Sequence, residues 1–156
     1  MQKNSFTAAD AKLEVTIQAP LGIIADIPTI NRRVYPEDVL RDLLERVKAD
    51  KPRIPLRTDS AQEVTIQTLT QDVIGEVTSV YLNDEKRLCL TIRIGAKYAR
   101  SVTAMPKAAD IVKMIKQHGI QFDFHICFEL DVDNRTVVHI ERILYVWMVP
   151  TPATAA

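Results

Sequence analysis

The stretch 121-QFDFHICFEL-130 alternates without a break. Phe122, Phe124, Ile126, Phe128 and Leu130 fall on one side; Asp123, His125, Cys127 and Glu129 fall on the other. Successive residues of a strand point to opposite faces, so this period of two predicts a β-strand with an apolar inner face. The polar row behind it has three readings: a metal site, a nucleophile, or a surface.

The period changes along the chain. Residues 13–27 alternate and then run apolar, with Pro20 and Gly22 marking a bend, which reads as strand, turn, strand. Over 31–50, Val39, Leu40, Leu43, Leu44 and Val47 recur at helical spacing. Pro36, Glu37 and Asp38 suit that helix's first turn, where proline needs no N–H partner and acids meet the positive helix end. Residues 51–62 hold two prolines and read as an extended loop. From 63 the β pattern returns in EVTIQTLT, DVIGEVTSVYL and RLCLTIRIG, with a hairpin turn at 83-NDEK-86. Residues 107–119 form a second helix, with Gly119 as its C-cap. A turn over 131–136 and a long strand over 137–149 close the pattern.

These elements predict an α+β fold, a mostly antiparallel, barrel-like β core with two helices on it. The chain of 156 residues is long enough for one such core. We expect a flexible arm over 1–12, one domain over 13–149 and a tail over 150–156.

Lys plus Arg and Asp plus Glu both total 20. Zero net charge argues against electrostatic binding of nucleic acid or an anionic membrane, and it opposes self-association little. No apolar run of 18 residues predicts a membrane span, and the first residues carry no apolar signal core. Cys89 and Cys127, each in a predicted strand, suggest neither a disulfide framework nor a metal knuckle, and fit a reduced cytoplasmic origin.

A zinc site needs donors within about 2.0–2.3 Å of one point. His125 and Cys127, about 6.6 Å apart along one strand face, can both reach an ion, whereas Asp123 and Glu129 lie about 20 Å apart. A second strand would have to add ligands, and His139 is the obvious donor. A Cys–His pair needs about 2.6–3.2 Å between its atoms, but neighbours on one strand face point in parallel. The commoner alternatives are a polar sheet face and a small, inert thiol. His118, beside Gly119, suits a helix end. Four scattered glycines make no phosphate cradle. Cofactors and metals are therefore not expected.

Three segments together resemble the phage prohead maturation proteases, serine proteases of the herpesvirus-assemblin kind. The first, 31-NRRVYPEDVL-40, is similar to that family's N-x-R-x-Y-P entry into its first helix. The second, 72-DVIGEVTSVYLNDEKRLCLTIRI-94, is similar to the I-G-x-V strand, turn and apolar strand beyond the catalytic histidine. The third, 120-IQFDFHICFEL-130 with 138-VHIERILYVWMVPTPA-153, resembles the serine strand and the closing strand with its P-A ending. The resemblance spans roughly residues 30–153, in the family's order.

The catalytic residues do not carry over. His125, in 124-FHICF-128, occupies the serine position, and Ser60, in 57-RTDSA-61, the histidine position of one branch. The segment 67-QTLTQDV-73, where another branch keeps its histidine, contains none. A serine needs a base to take its proton, and a fold persists without its grafted site. The resemblance therefore implies an inactive protease-like fold serving as a decoration or cement protein on the major capsid protein, in the virion capsid, made in host cytoplasm and self-associating as a dimer or higher oligomer. The alternative is an active maturation protease with a rebuilt site, for which Ser60 and His125 are the candidate dyad. A third reading is a β-rich binding module with no virion role.

Overall fold

The computed structural model describes residues 6–152. The expectations for residues 1–5 and 153–156 lie outside them.

The period-two patterns become strands where one face is buried. β1 (Glu14–Ile24) buries Ala19, Leu21 and Ile23 and exposes Gln18, Pro20 and Gly22 between them. The expected bend does not divide it. Pro20 stays in register opposite Cys89, and the pairing shifts only between Pro20 and Ile24. β1 is an outermost strand, where proline's missing N–H removes no bond from a second neighbour.

α2 (Glu37–Asp50) is the helix expected from the 3–4 spacing, with Leu40 and Leu43 buried and Val39, Leu44 and Val47 packed partly against the core. Pro36 is its N-cap rather than its first helical residue. The Glu37 N–H donates to the Asp26 carboxylate at 3.1 Å, a cap supplied from the preceding connection.

Two loop and strand expectations change places. Residues 54–57, read as loop, form β2 (Ile54–Arg57), and all four are buried. With both faces covered, such a strand has no alternation to read. Residues 63–70, read as strand, form turns. There the Thr68 hydroxyl donates to the Glu63 carbonyl, and the Thr65 hydroxyl accepts from the Thr68 N–H. Local threonine bonds of this kind draw a backbone away from a ladder.

β3 (Val73–Leu82) and β4 (Arg87–Gly95) form the expected hairpin, and the Asn83 side chain accepts from the Glu85 and Arg87 N–H groups in its turn. α3 (Ala104–His118) begins three residues before the expected start. Pro106 fits its first turn, the Ser101 hydroxyl accepts from the Ala104 N–H, and Gly119 ends it in the left-handed conformation expected of a C-cap. β5 (Phe122–Asp133) and β6 (Thr136–Pro150) meet at Asn134–Arg135, both at positive φ, as tight hairpins require.

One six-stranded sheet results, in the order β1-β4-β3-β2-β6-β5. All pairs are antiparallel except β2 with β6. The sheet curls until β1 and β5, at opposite ends of that order, approach each other. This is the expected α+β, barrel-like architecture. Besides the two expected helices there is a third, α1 (Ala8–Ala11), so residues 8–11 of the expected arm form one helical turn. Thr7 and Asp10 form a reciprocal cap on α1, and Asp10 pairs with Lys113 of α3 at 2.9 Å. No described helix is long and apolar enough to cross a membrane.

Gly75 marks the tightest backbone approach. A Cβ there would lie 2.4 Å from the Arg93 carbonyl oxygen on β4, and backbone cannot swing aside. We expect Gly75→Ala to cost about 1–3 kcal/mol and Gly22→Ala, where a Cβ meets nothing within 4 Å, to change little, both read from urea midpoints.

Candidate functional site

The polar row of β5 keeps its face, but the β6 side chains opposite it occupy most of its members. Asp123 accepts a hydrogen bond from the Thr151 hydroxyl at 2.9 Å. His125 lies opposite Trp147 and stacks on it, ring centroids 5.1 Å apart and planes 28° from parallel. Cys127 lies opposite Tyr145. Glu129 pairs with Arg142 at 3.3 Å. The register shifts between Cys127 and Phe128, so the row is not one straight line of donors. Among the described residues no three His, Cys, Asp or Glu side chains converge as metal ligands. His139 lies beside Glu141, at 3.1 Å, rather than beside His125.

Ser60 is exposed in the turn after β2, and its N–H donates to the Asp59 side chain at 2.8 Å. It lines a concavity of about 510 Å³ together with Cys127, Tyr35, Tyr145 and Trp147. His125 lines a different one, about 760 Å³, between β1 and β5. Arg33, Tyr35, Ile126 and Trp147 contribute to both, so the two concavities adjoin. No hydrogen bond joins Ser60 to His125, the two residues that an active dyad would require within reach of each other.

The residue that organises this region is Tyr145, which sequence reasoning missed. It is 2% exposed. Its hydroxyl accepts from the Ala61 N–H at 3.0 Å and donates to the Ala61 carbonyl at 3.3 Å, fastening the start of the 58–72 segment to β6. Burial pushes its pKa up. The Arg57 guanidinium carbon lies 5.5 Å from the Tyr145 ring centroid, within cation–π range. Arg57 is itself 6% exposed; it donates to the Asp59 carbonyl at 2.6 Å and faces Asp72 at 3.4 Å, while its Nε–H is buried without a partner. The available signal was a lone arginine ending the apolar run 54-IPL-56, three residues before Ser60 at the expected histidine position.

The other candidates stand as follows. Cys89 is buried in β4, and burial pushes its thiol pKa up, away from the nucleophilic thiolate. Cys127 is half-buried, and both cysteines are free. His118 sits in the last turn of α3, where a cation favours the helix dipole.

Neither protein-family models nor curated proteins match the chain. Among solved structures, the chain is similar to the bacteriophage T4 capsid assembly protease, with a TM-score of 0.59 and 12% identity over 88% of this chain and 82% of that one. A likeness at that identity is one of fold: the chain has a protease-like fold, and its own side chains decide its chemistry.

Tyr145→Phe removes the Ala61 clamp while keeping the ring. We expect a loss of roughly 1–3 kcal/mol in chemical denaturation and faster hydrogen exchange at the Ala61 amide. The raised pKa favours neutral Tyr145 in the folded state. Its contribution is full below the ordinary tyrosine pKa of about 10 and is lost as pH rises through the raised value. Tyr145→Phe should therefore flatten the alkaline fall of stability.

Proposed function

We propose that the chain is a phage capsid protein that uses a protease-like fold for binding rather than cleavage. It is a decoration or cement protein on the lattice of the major capsid protein. The observation that supports this reading is that no hydrogen bond joins Ser60 to His125. Peptide hydrolysis by a serine requires a base hydrogen-bonded to the nucleophile. Here His125 stacks on Trp147 and Ser60 faces another concavity. The Tyr145–Ala61 clamp fixes the turn that carries Ser60. The capsid context rests on the similarity of fold to the T4 protease and on the three sequence segments that resemble maturation proteases.

Co-sedimentation of the purified protein with mature, naked capsids tests this, on gels that also report cleavage. We expect saturable binding of intact protein at a fixed ratio to capsid subunits, unchanged in pattern by Ser60→Ala. Shortening of the protein or of a scaffold, prevented by His125→Ala or Ser60→Ala, would instead establish a rebuilt protease site. Absence of both binding and cleavage would leave the β-rich binding module.

A further inference from the structure

A groove of about 630 Å³ runs between α2, the 58–72 segment and β6. Leu43, Val47, Leu69 and Leu144 give it an apolar lining, and Ile66, 83% exposed, stands at its side. Its rim carries Arg46, Arg53, Arg100 and Arg142 against two carboxylates, Asp50 and Glu141. Three of the arginines have a carboxylate neighbour outside the groove: Arg46 pairs with Asp42, Arg142 with Glu129, and Arg53 more loosely with Glu76 at 3.5 Å. Such exposed pairs are weak and exchangeable. Arg100 forms no ion pair among the described residues; it donates to the Leu69 carbonyl, and burial together with the like charge of Arg53 lowers its pKa. In a chain of zero net charge, this is an apolar groove with a cationic rim.

The matching surface is on the same chain. β5 is an outermost strand, so its outward backbone groups have no ladder partner. Its last residues, 129-ELDVD-133, alternate acid and apolar side chains. Asp131 and Asp133 are exposed and form no ion pair among the described residues. Val132 and Val138, at the same end of the hairpin, are 40% and 53% exposed. Glu129 already pairs with Arg142 on its own rim, but β5 is paired to β6 all the way to Asp133, so the strand cannot fold over into its own groove.

We propose that the chain associates head to tail, with the acidic β5 edge over Asp131–Asp133 of one copy lying in the arginine-rimmed groove of the next. Such a contact joins two different surfaces, so it builds open chains or rings rather than a two-fold dimer. It is independent of capsid binding and is tested without capsids.

Sedimentation velocity over a concentration series, at low and high salt, reads the association. The groove variant is Arg53→Ala with Arg142→Ala, whose side chains are 75% and 65% exposed. The edge variant is Asp131→Lys with Asp133→Lys. We expect the wild type to associate with concentration and to weaken with salt. Each variant alone should dissociate with a constant raised about tenfold or more, because attraction at the rim is lost in the first and becomes repulsion in the second. Mixing the two variants should restore a heterodimer through one intact contact, the edge of the groove variant in the groove of the edge variant. A wild type that stays monomeric overturns the proposal and leaves the groove to an acidic segment of another protein. Variants that associate like the wild type, or a mixture that stays monomeric, overturn it equally.

Discussion

The four residues of β2 hold the molecule together. On one side lies the antiparallel set β1-β4-β3 and on the other the hairpin β6-β5; only β2 is hydrogen-bonded to both. It does so with full burial from Ile54 to Arg57 and with only two residue pairs to β6, Leu56 with Val146 and Arg57 with Trp147. The same short strand delivers Arg57 beside Tyr145 and starts the turn that carries Ser60. Sheet continuity and the geometry of the candidate site therefore rest on one element.

That dependence explains which parts of the fold the sequence revealed. Alternation in 121–130 and the 3–4 spacing over 39–47 each report a single covered face, and both became the expected strand and helix. β2 is covered on both faces and carries two-sided burial in four residues, so periodicity is silent about it. The 63–70 segment shows the opposite failure: its alternation is partly threonine, and those hydroxyls bond to their own neighbourhood rather than to a ladder. Pro20 looked like a chain reversal but sits on an edge strand that tolerates it. α1 is a single turn, too short for any period, and only the Thr7 and Asp10 spacing marks it.

The candidate site was legible in part. The polar row of β5 could be placed from sequence because its face follows from the period. What each member touches could not, because the partners come from β6 in a register that shifts three times. Trp147 on His125 and Tyr145 against the 58–72 segment are products of that register. They set what His125 and the turn carrying Ser60 touch, which the period of β5 alone does not reveal.

The parallel joint between β2 and β6 also bears on how the chain reaches this structure. The β3–β4 and β5–β6 hairpins close over short loops, and such local contacts form early and fast. Leu56 and Val146 are about 90 residues apart, and closing so long a loop costs entropy before the contact repays it. The pairing of β1 with β4, Ala19 opposite Leu90, closes a loop of about 70 residues in the same way, so the two hairpins are the most local units of the sheet. We expect folding speed to follow these two long-range closures rather than the stability of either hairpin.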